Sequence, residues 1–174
     1  MDIKFDLLSH NEIEKFQIFI KLHWKNDHIF VKNKDLFDWQ HKGKSKYHCM
    51  ITTIDKDIVA VHGVIPLNHF DNNLKSREIF IALWRVVENK GIGIGIRMFQ
   101  KILDTYNPNF IAGLPLNLNV LKFYERFGFR CETLEHHVFI STKKTNFKVA
   151  NVPRTLELNS IRNKYNCRFE KFDE

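Results

Sequence analysis

Lys90-Gly91-Ile92-Gly93-Ile94-Gly95 is the stretch on which the reading of this chain turns. Three of the seven glycines fall within it. A backbone so dense in glycine can approach a phosphate closely and turn several N–H groups toward it. An apolar run, 78–87 (EIFIALWRVV), precedes it. Met98, Phe99, Ile102, Leu103 and Tyr106 follow as the stripe of an amphipathic helix. The loop therefore opens a helix, whose positive N-terminal end favours anions. A dinucleotide loop needs Gly-x-Gly-x-x-Gly; the spacing here is Gly-x-Gly-x-Gly, after an antiparallel-looking hairpin. The Gly-x-x-x-x-Gly-Lys-Ser/Thr of a nucleoside-triphosphate loop is missing. A plain packing reading stands beside the phosphate one: a glycine-rich turn also lets a helix lie close on a strand.

A second motif follows: Asn117-x-x-Val120-x-x-x-Tyr124-x-x-x-Gly128-Phe129. Val120, Phe123, Tyr124 and Phe127 recur at helical spacing, and Gly128 ends the helix. Asn117 and Tyr124 lie two turns apart on one face. Between the motifs, Asn107-Pro108-Asn109 breaks the chain and 110–114 (FIAGL) reads as a short buried strand.

Upstream, Ser9-His10-Asn11-Glu12 is a capping-box pattern, and Ile13, Phe16 and Ile20 give a first helix to about Trp24. Asn33 caps a shorter helix from Lys34 to about His41. Residues 47–54 and 58–67 read as strands joined by a turn at Asp55-Lys56-Asp57. Downstream, 133–141 reads as a strand and 155–165 as a helix in a more polar, basic tail. The order is that of an α/β chain with a mixed sheet.

At 174 residues with 44% hydrophobic composition, the chain suits one globular domain with its own core. No apolar stretch reaches the roughly 18 residues that span a bilayer, and the acidic start MDIKFDLLSHNE is unlike a signal peptide. Three widely spaced cysteines, Cys49, Cys131 and Cys167, fit a reducing cytoplasm and form no metal cluster. His136 and His137 point to opposite faces of a strand and make a poor metal site. No metal is expected. Net charge is +7, but the basic residues are scattered, with no run and no interleaved aromatics. That disfavours nucleic acid and suits phosphate-bearing small molecules.

Together the two motifs resemble the acyl-CoA site of the GNAT superfamily of N-acetyltransferases, over roughly residues 10–141. The resemblance implies an α/β fold: a mixed, mostly antiparallel twisted sheet flanked by helices, with a splayed central strand pair for acyl-CoA. It places the acyltransferase domain at 1–142, with 143–174 as an extension. In its register Lys90, Gly91, Gly93 and Gly95 cradle the pyrophosphate, Lys90 standing where Gln or Arg is usual. Backbone groups near Trp84 and Val86 bind the acyl-pantetheine and its oxyanion, and Asn117 bonds the pantetheine arm or the helix start. Tyr124 protonates the departing thiolate. No covalent intermediate is needed, so the cysteines are not nucleophiles.

The base is less clear in the sequence. Glu78 lies far down the fourth strand; a hairpin of 58–70 with 76–87 would set His62 opposite Leu83, at the depth of the thioester, making His62 the candidate. Residues 23–30 (HWKNDHIF) and 36–40 (LFDWQ), with Leu83-Trp84-Arg85-Val86, look like a GNAT subgroup from surface-polysaccharide pathways. Its members N-acylate nucleotide-linked amino sugars such as a dTDP-3-amino-3,6-dideoxyhexose. Trp24 and Trp39 would stack on a base or sugar, and His28 would bond a hydroxyl or phosphate. Cosubstrates are then acetyl-CoA or another short acyl-CoA; a homodimer is allowed. The rivals are acetylation of a polyamine, aminoglycoside or protein lysine, and a nonenzymatic acyl-CoA-binding domain.

Overall fold

The computed structural model describes residues 2–75, 77–88, 90, 93–114 and 118–132, the side chains of 118 and 119 excepted. Gly91, Asn117, Cys167, the strand expected at 133–141 with His136 and His137, the helix at 155–165 and the boundary at 142 lie outside these residues. The chain forms two compact units, Met1–Phe127 and Gly128–Glu174. In the second, Arg130 pairs with Glu132 at 2.6 Å.

The first unit holds a five-stranded sheet in the order β1 (Ile3–Ser9), β2 (Lys46–Ile54), β3 (Asp57–Pro66), β4 (Glu78–Val86), β5 (Phe110–Gly113). The first four run antiparallel to their neighbours; β5 is parallel to β4. This is the expected fold class. β2 and β3 join through Asp55 and Lys56, both in the left-handed region at φ 48° and 77°. Two left-handed central residues give a hairpin turn whose twist matches that of the strands. The edge strand β1 was not assigned from sequence, although Ile3, Phe5 and Leu7 alternate with Lys4 and Asp6. Its exposed side is guarded by charge, with Asp6 paired to Lys46 at 2.6 Å.

Strand alternation divides the core between two faces. Val61 and Leu83 turn to one face, against α1 (Ile13–His23), α2 (Ile29–Lys32) and α3 (Lys34–His41). There Phe16 stacks on Phe37 at 4.4 Å, and both are fully buried. Truncating either ring to Ala would cost about 3–5 kcal/mol. Glu12 accepts the Ser9 N–H at 3.4 Å, and Asn33 Oδ1 accepts the Leu36 N–H at 3.0 Å, so both sequence-read caps are in place. On the other face α4 (Ile94–Tyr106) lays Ile94, Met98 and Ile102 onto Met50, Val64 and Ile79. Asn107, at φ 41°, ends α4 with its N–H on Leu103 O at 2.8 Å. The last described helix, α5, spans Leu118–Arg126.

Candidate active site

The site begins where the sheet stops being a sheet. β4 pairs with β5 only over Glu78–Ile81, against Phe110–Gly113, yet β4 continues to Val86. Beyond Ile81, among the described residues, its outer edge meets no strand. The Val87 N–H reaches Val59 O at 2.9 Å. Bonding direction alternates along an antiparallel pair. Arg85, opposite Val61, therefore bonds inward to β3, while Trp84 and Val86, opposite His62 and Ala60, present N–H and C=O to the open edge. These are the two residues singled out for backbone contact from the sequence.

The glycine loop leads onto this edge. Gly93 is the N-cap of α4 at φ +81°, and a Cβ there would touch nothing within 4 Å. Glycine is required there by backbone conformation, not by crowding. Gly95 differs. It lies in the first turn of α4, and a Cβ on it would stand 3.1 Å from Trp84 Cζ2 and 3.5 Å from Val86 Cγ2. The packing reading holds for Gly95: it lets the helix settle on the indole. The first N–H groups of α4 have no intrahelical acceptor. Lys90 is exposed beside them in sequence.

Trp84 is the centre on which the parts meet. Gly95 lies over its ring edge, and the rings of Phe123 and Tyr124 from α5 approach at 5.1 and 5.9 Å. Phe99 of α4 closes the cluster at 6.2 Å. Tyr124 is 2% exposed. Its ring shares the apolar cluster with Trp84, Phe99 and Phe123. The buried Trp84 Nε1 has no hydrogen-bond partner among the described residues.

His62 corrects the sequence expectation. The pairing sets it opposite Trp84, not Leu83, because the register shifts at Gly63 and Val64. A Cβ on Gly63 would fall 2.8 Å from the Leu83 side chain, so this crossing has room only for glycine. The imidazole is fully buried and stacks on Trp84 with centroids 4.8 Å apart and planes 7° from parallel. Neither nitrogen has a partner among the described residues, and burial pushes its pKa down to about 3. Such a ring stays neutral at pH 7 and holds a proton poorly, so the geometry argues against it as general base.

The three proposed acceptor residues separate. Trp24 follows α1, 40% exposed, with the His28 ring at 5.1 Å. His28 Nδ1 accepts the Phe30 N–H at 3.2 Å, and burial lowers its pKa. Arg85, not singled out from sequence as a site residue, donates from Nε to His23 O at 2.6 Å and ties this corner to β4. Trp39 stands elsewhere. It is 60% exposed on α3, packs on Phe70 at 4.8 Å, and its carbonyl bonds His69 Nε2. That is the far end of β3. From the level of Val61 to Pro66 the strand runs on the order of 16 Å. The structure brings Trp24 and His28 together and leaves Trp39 apart.

Cys49 is fully buried, and desolvation pushes its thiol pKa up, the opposite of an activated nucleophile. No three His, Cys, Asp or Glu groups among the described residues could hold a metal. No described helix is long and apolar enough to cross a membrane.

No family model matches the sequence, and no curated protein matches it. Solved structures do match. One is a transcriptional regulator from Bacillus halodurans, at 15% identity and TM-score 0.57, covering 79% of this chain and 100% of that one. A second is an aminoglycoside acetyltransferase from an uncultured soil sample, at 17% identity and TM-score 0.56, with 81% and 100% covered. A third is Arabidopsis thaliana Naa50 with a CoA bisubstrate analogue, at 16% identity and TM-score 0.51, with 76% and 86% covered. The fold is that of the GNAT acetyltransferases. At these identities the GNAT likeness speaks for architecture, and the chemistry rests on this chain's own residues.

Proposed function

We propose that the protein is an acyl-CoA-dependent N-acyltransferase that acylates the amine of a nucleotide-linked amino-deoxy sugar in the cytoplasm, for surface polysaccharide synthesis. The observation that carries the transferase reading is the convergence on Trp84 of the open β4 edge, the start of α4 and Tyr124. The positively phased backbone of Gly93 and the α4 N-terminus suit the pyrophosphate of acyl-CoA, with Lys90 adding charge. The edge groups of Trp84 and Val86 suit an extended amide-bearing arm, which would join the sheet as a strand does.

In the transfer, the amine lone pair attacks the thioester carbonyl. An N–H on the β4 edge stabilises the oxyanion. The ammonium of the tetrahedral intermediate gives its proton to water, the carbon–sulfur bond breaks, the thiolate takes the Tyr124 proton, and the phenolate is reprotonated from solvent. A sugar amine, weakened by neighbouring hydroxyls, arrives partly neutral near pH 7. That fits a site whose one central imidazole is buried, neutral and no base.

The net charge of +7 and the Trp24–His28 pair beside β4 support an anionic, ring-bearing acceptor. The test is thiol release from acetyl-CoA and longer acyl-CoAs with a panel of amines. Turnover is expected with a dTDP- or UDP-linked amino-deoxyhexose and not with spermidine, kanamycin or a lysine peptide. Turnover of kanamycin or a peptide alone would replace the sugar with the amines that the similar structures' names suggest. Silence with every amine would favour a nonenzymatic acyl-CoA-binding domain.

A further inference from the structure

A cleft of about 710 Å³ opens between α1 and the β2–β3 turn, walled by Ile18, Leu22 and Ile58 and rimmed by Lys15, Lys56 and Lys90. The volume lies within the roughly 300–1,000 Å³ of small-molecule sites. No sequence motif marked it, because its parts come from three separated segments.

Its composition is divided. Ile18 and Leu22 are 56% and 69% exposed, one turn apart, an apolar wall facing solvent. The three lysines are exposed, and among the described residues none has a carboxylate partner. The cleft's two carboxylates, Asp55 and Asp57, offset part of this charge without pairing to the three lysines, and Asp55 Oδ1 accepts the Asp2 N–H at 3.1 Å. From Lys15 to Leu22 the wall rises about 10 Å. An apolar wall beside three lysines without ion-pair partners, net positive over the two aspartates, fits a ligand that is flat and apolar at one end and anionic at the other.

We infer that this cleft binds the nucleoside diphosphate of the acceptor, the base lying on Ile18, Leu22 and Ile58 and the phosphates on Lys15 and Lys56. The inference rests on the sugar-nucleotide reading of the function and adds where that substrate is held. Two walls lead from the cleft to the reaction centre. His23 lines it and bonds Arg85 of β4, and Val87 lines it and follows directly on Val86. A diphosphate anchored here would direct its sugar toward the β4 edge. Acyl-CoA carries a nucleoside diphosphate too, and Lys90 belongs to both the cleft and the glycine loop. The two sources must therefore be told apart.

The experiment titrates dTDP and UDP into the protein by calorimetry, with and without saturating CoA. Binding of at least one, with affinity unchanged by CoA, is expected. Lys15→Gln with Lys56→Gln should weaken that binding tenfold or more and leave CoA affinity unchanged. A second variant, Leu22→Ser, should weaken it without changing charge; all three positions are exposed, so the fold is kept. Displacement of dTDP and UDP by CoA would assign the cleft to the cosubstrate's nucleotide and overturn the inference. So would binding indifferent to the variants, or none at all, including because a second copy fills the cleft in a dimer seen by sedimentation. Failure of the transferase reading is separate: it shows as absent CoA binding or thiol release, whatever dTDP and UDP do.

Discussion

The two faces of the sheet bury similar apolar material and treat their polar groups differently. Under α1–α3, Tyr47 donates to Asp38 at 2.7 Å and His41 Nδ1 meets Val64 O at 3.1 Å, so that only its Nε2 lacks a partner among the described residues. Under α4 and α5, His62 has no partner on either nitrogen and Trp84 none on Nε1, among the described residues. A buried polar atom left unmatched costs about 1–3 kcal/mol, so it marks a place whose sequence answers to something besides stability. In the proposed transferase the chemistry lies on the α4 face, where the stacked His62–Trp84 pair is wholly unmatched beside the open half of β4, and the α1–α3 face is scaffold and substrate wall.

Acid should expose what the faces share. Burial lowers His41 to about 4 and His62 to about 3, from 6.5. Folding therefore favours the neutral rings. That stability is whole above pH 6.5 and is lost as pH falls toward the folded values. The slope rises to about 1.4 kcal/mol per pH unit and group once the unfolded rings are charged, so denaturant unfolding should show a loss of about 3 kcal/mol between pH 6.5 and 5. His62→Phe, which keeps the stack, should halve that slope; an unchanged slope would mean that water reaches the ring.

Tyr124→Phe separates chemistry from packing on the α4 face. The ring remains and the proton donor goes. Turnover should fall about 10²-fold, about 2.7 kcal/mol of barrier, with acyl-CoA binding and melting temperature kept. Wild-type turnover would give the proton to another group or to water.

Gly95→Val should now act through the fold. Its Cβ would press on Trp84 at 3.1 Å, overpacking worth about 1–3 kcal/mol. A variant with full stability and lost CoA affinity would restore Gly95 to the phosphate loop proper. The smallest effect is expected at Trp39→Ala, on the scaffold side and far along β3. The KM for the sugar nucleotide should change less than twofold, and a large rise would show that the acceptor extends across the α1–α3 face.

Much of this was legible in the sequence, because local signals set it. Asn33 caps α3 where the pattern placed it, the β2–β4 boundaries fall within a residue or two, and the Met98–Phe99–Ile102 stripe is buried. The rest depended on contacts between distant segments. The His62 register slipped by one because Gly63, crowded by Leu83 and His41, sits at an irregularity that no local pattern announces. Gly95 reads as loop until Trp84 is seen beneath it. Trp24 and Trp39 look equivalent in sequence, yet one adjoins Arg85's tie to His23 and the other packs on Phe70. The cleft lysines are invisible singly, since only folding places Lys15, Lys56 and Lys90 around one opening.

The central claim is that the open edge from Trp84 to Val86, with the start of α4, is an acyl-CoA site. Calorimetric titration of acetyl-CoA into the protein tests it most directly. One molecule per chain should bind with a Kd in the micromolar range, about −8 kcal/mol, and Gly93→Val should abolish the heat while circular dichroism stays that of the parent. No saturable binding by the parent protein, or equal binding by a folded Gly93→Val variant, would contradict the account.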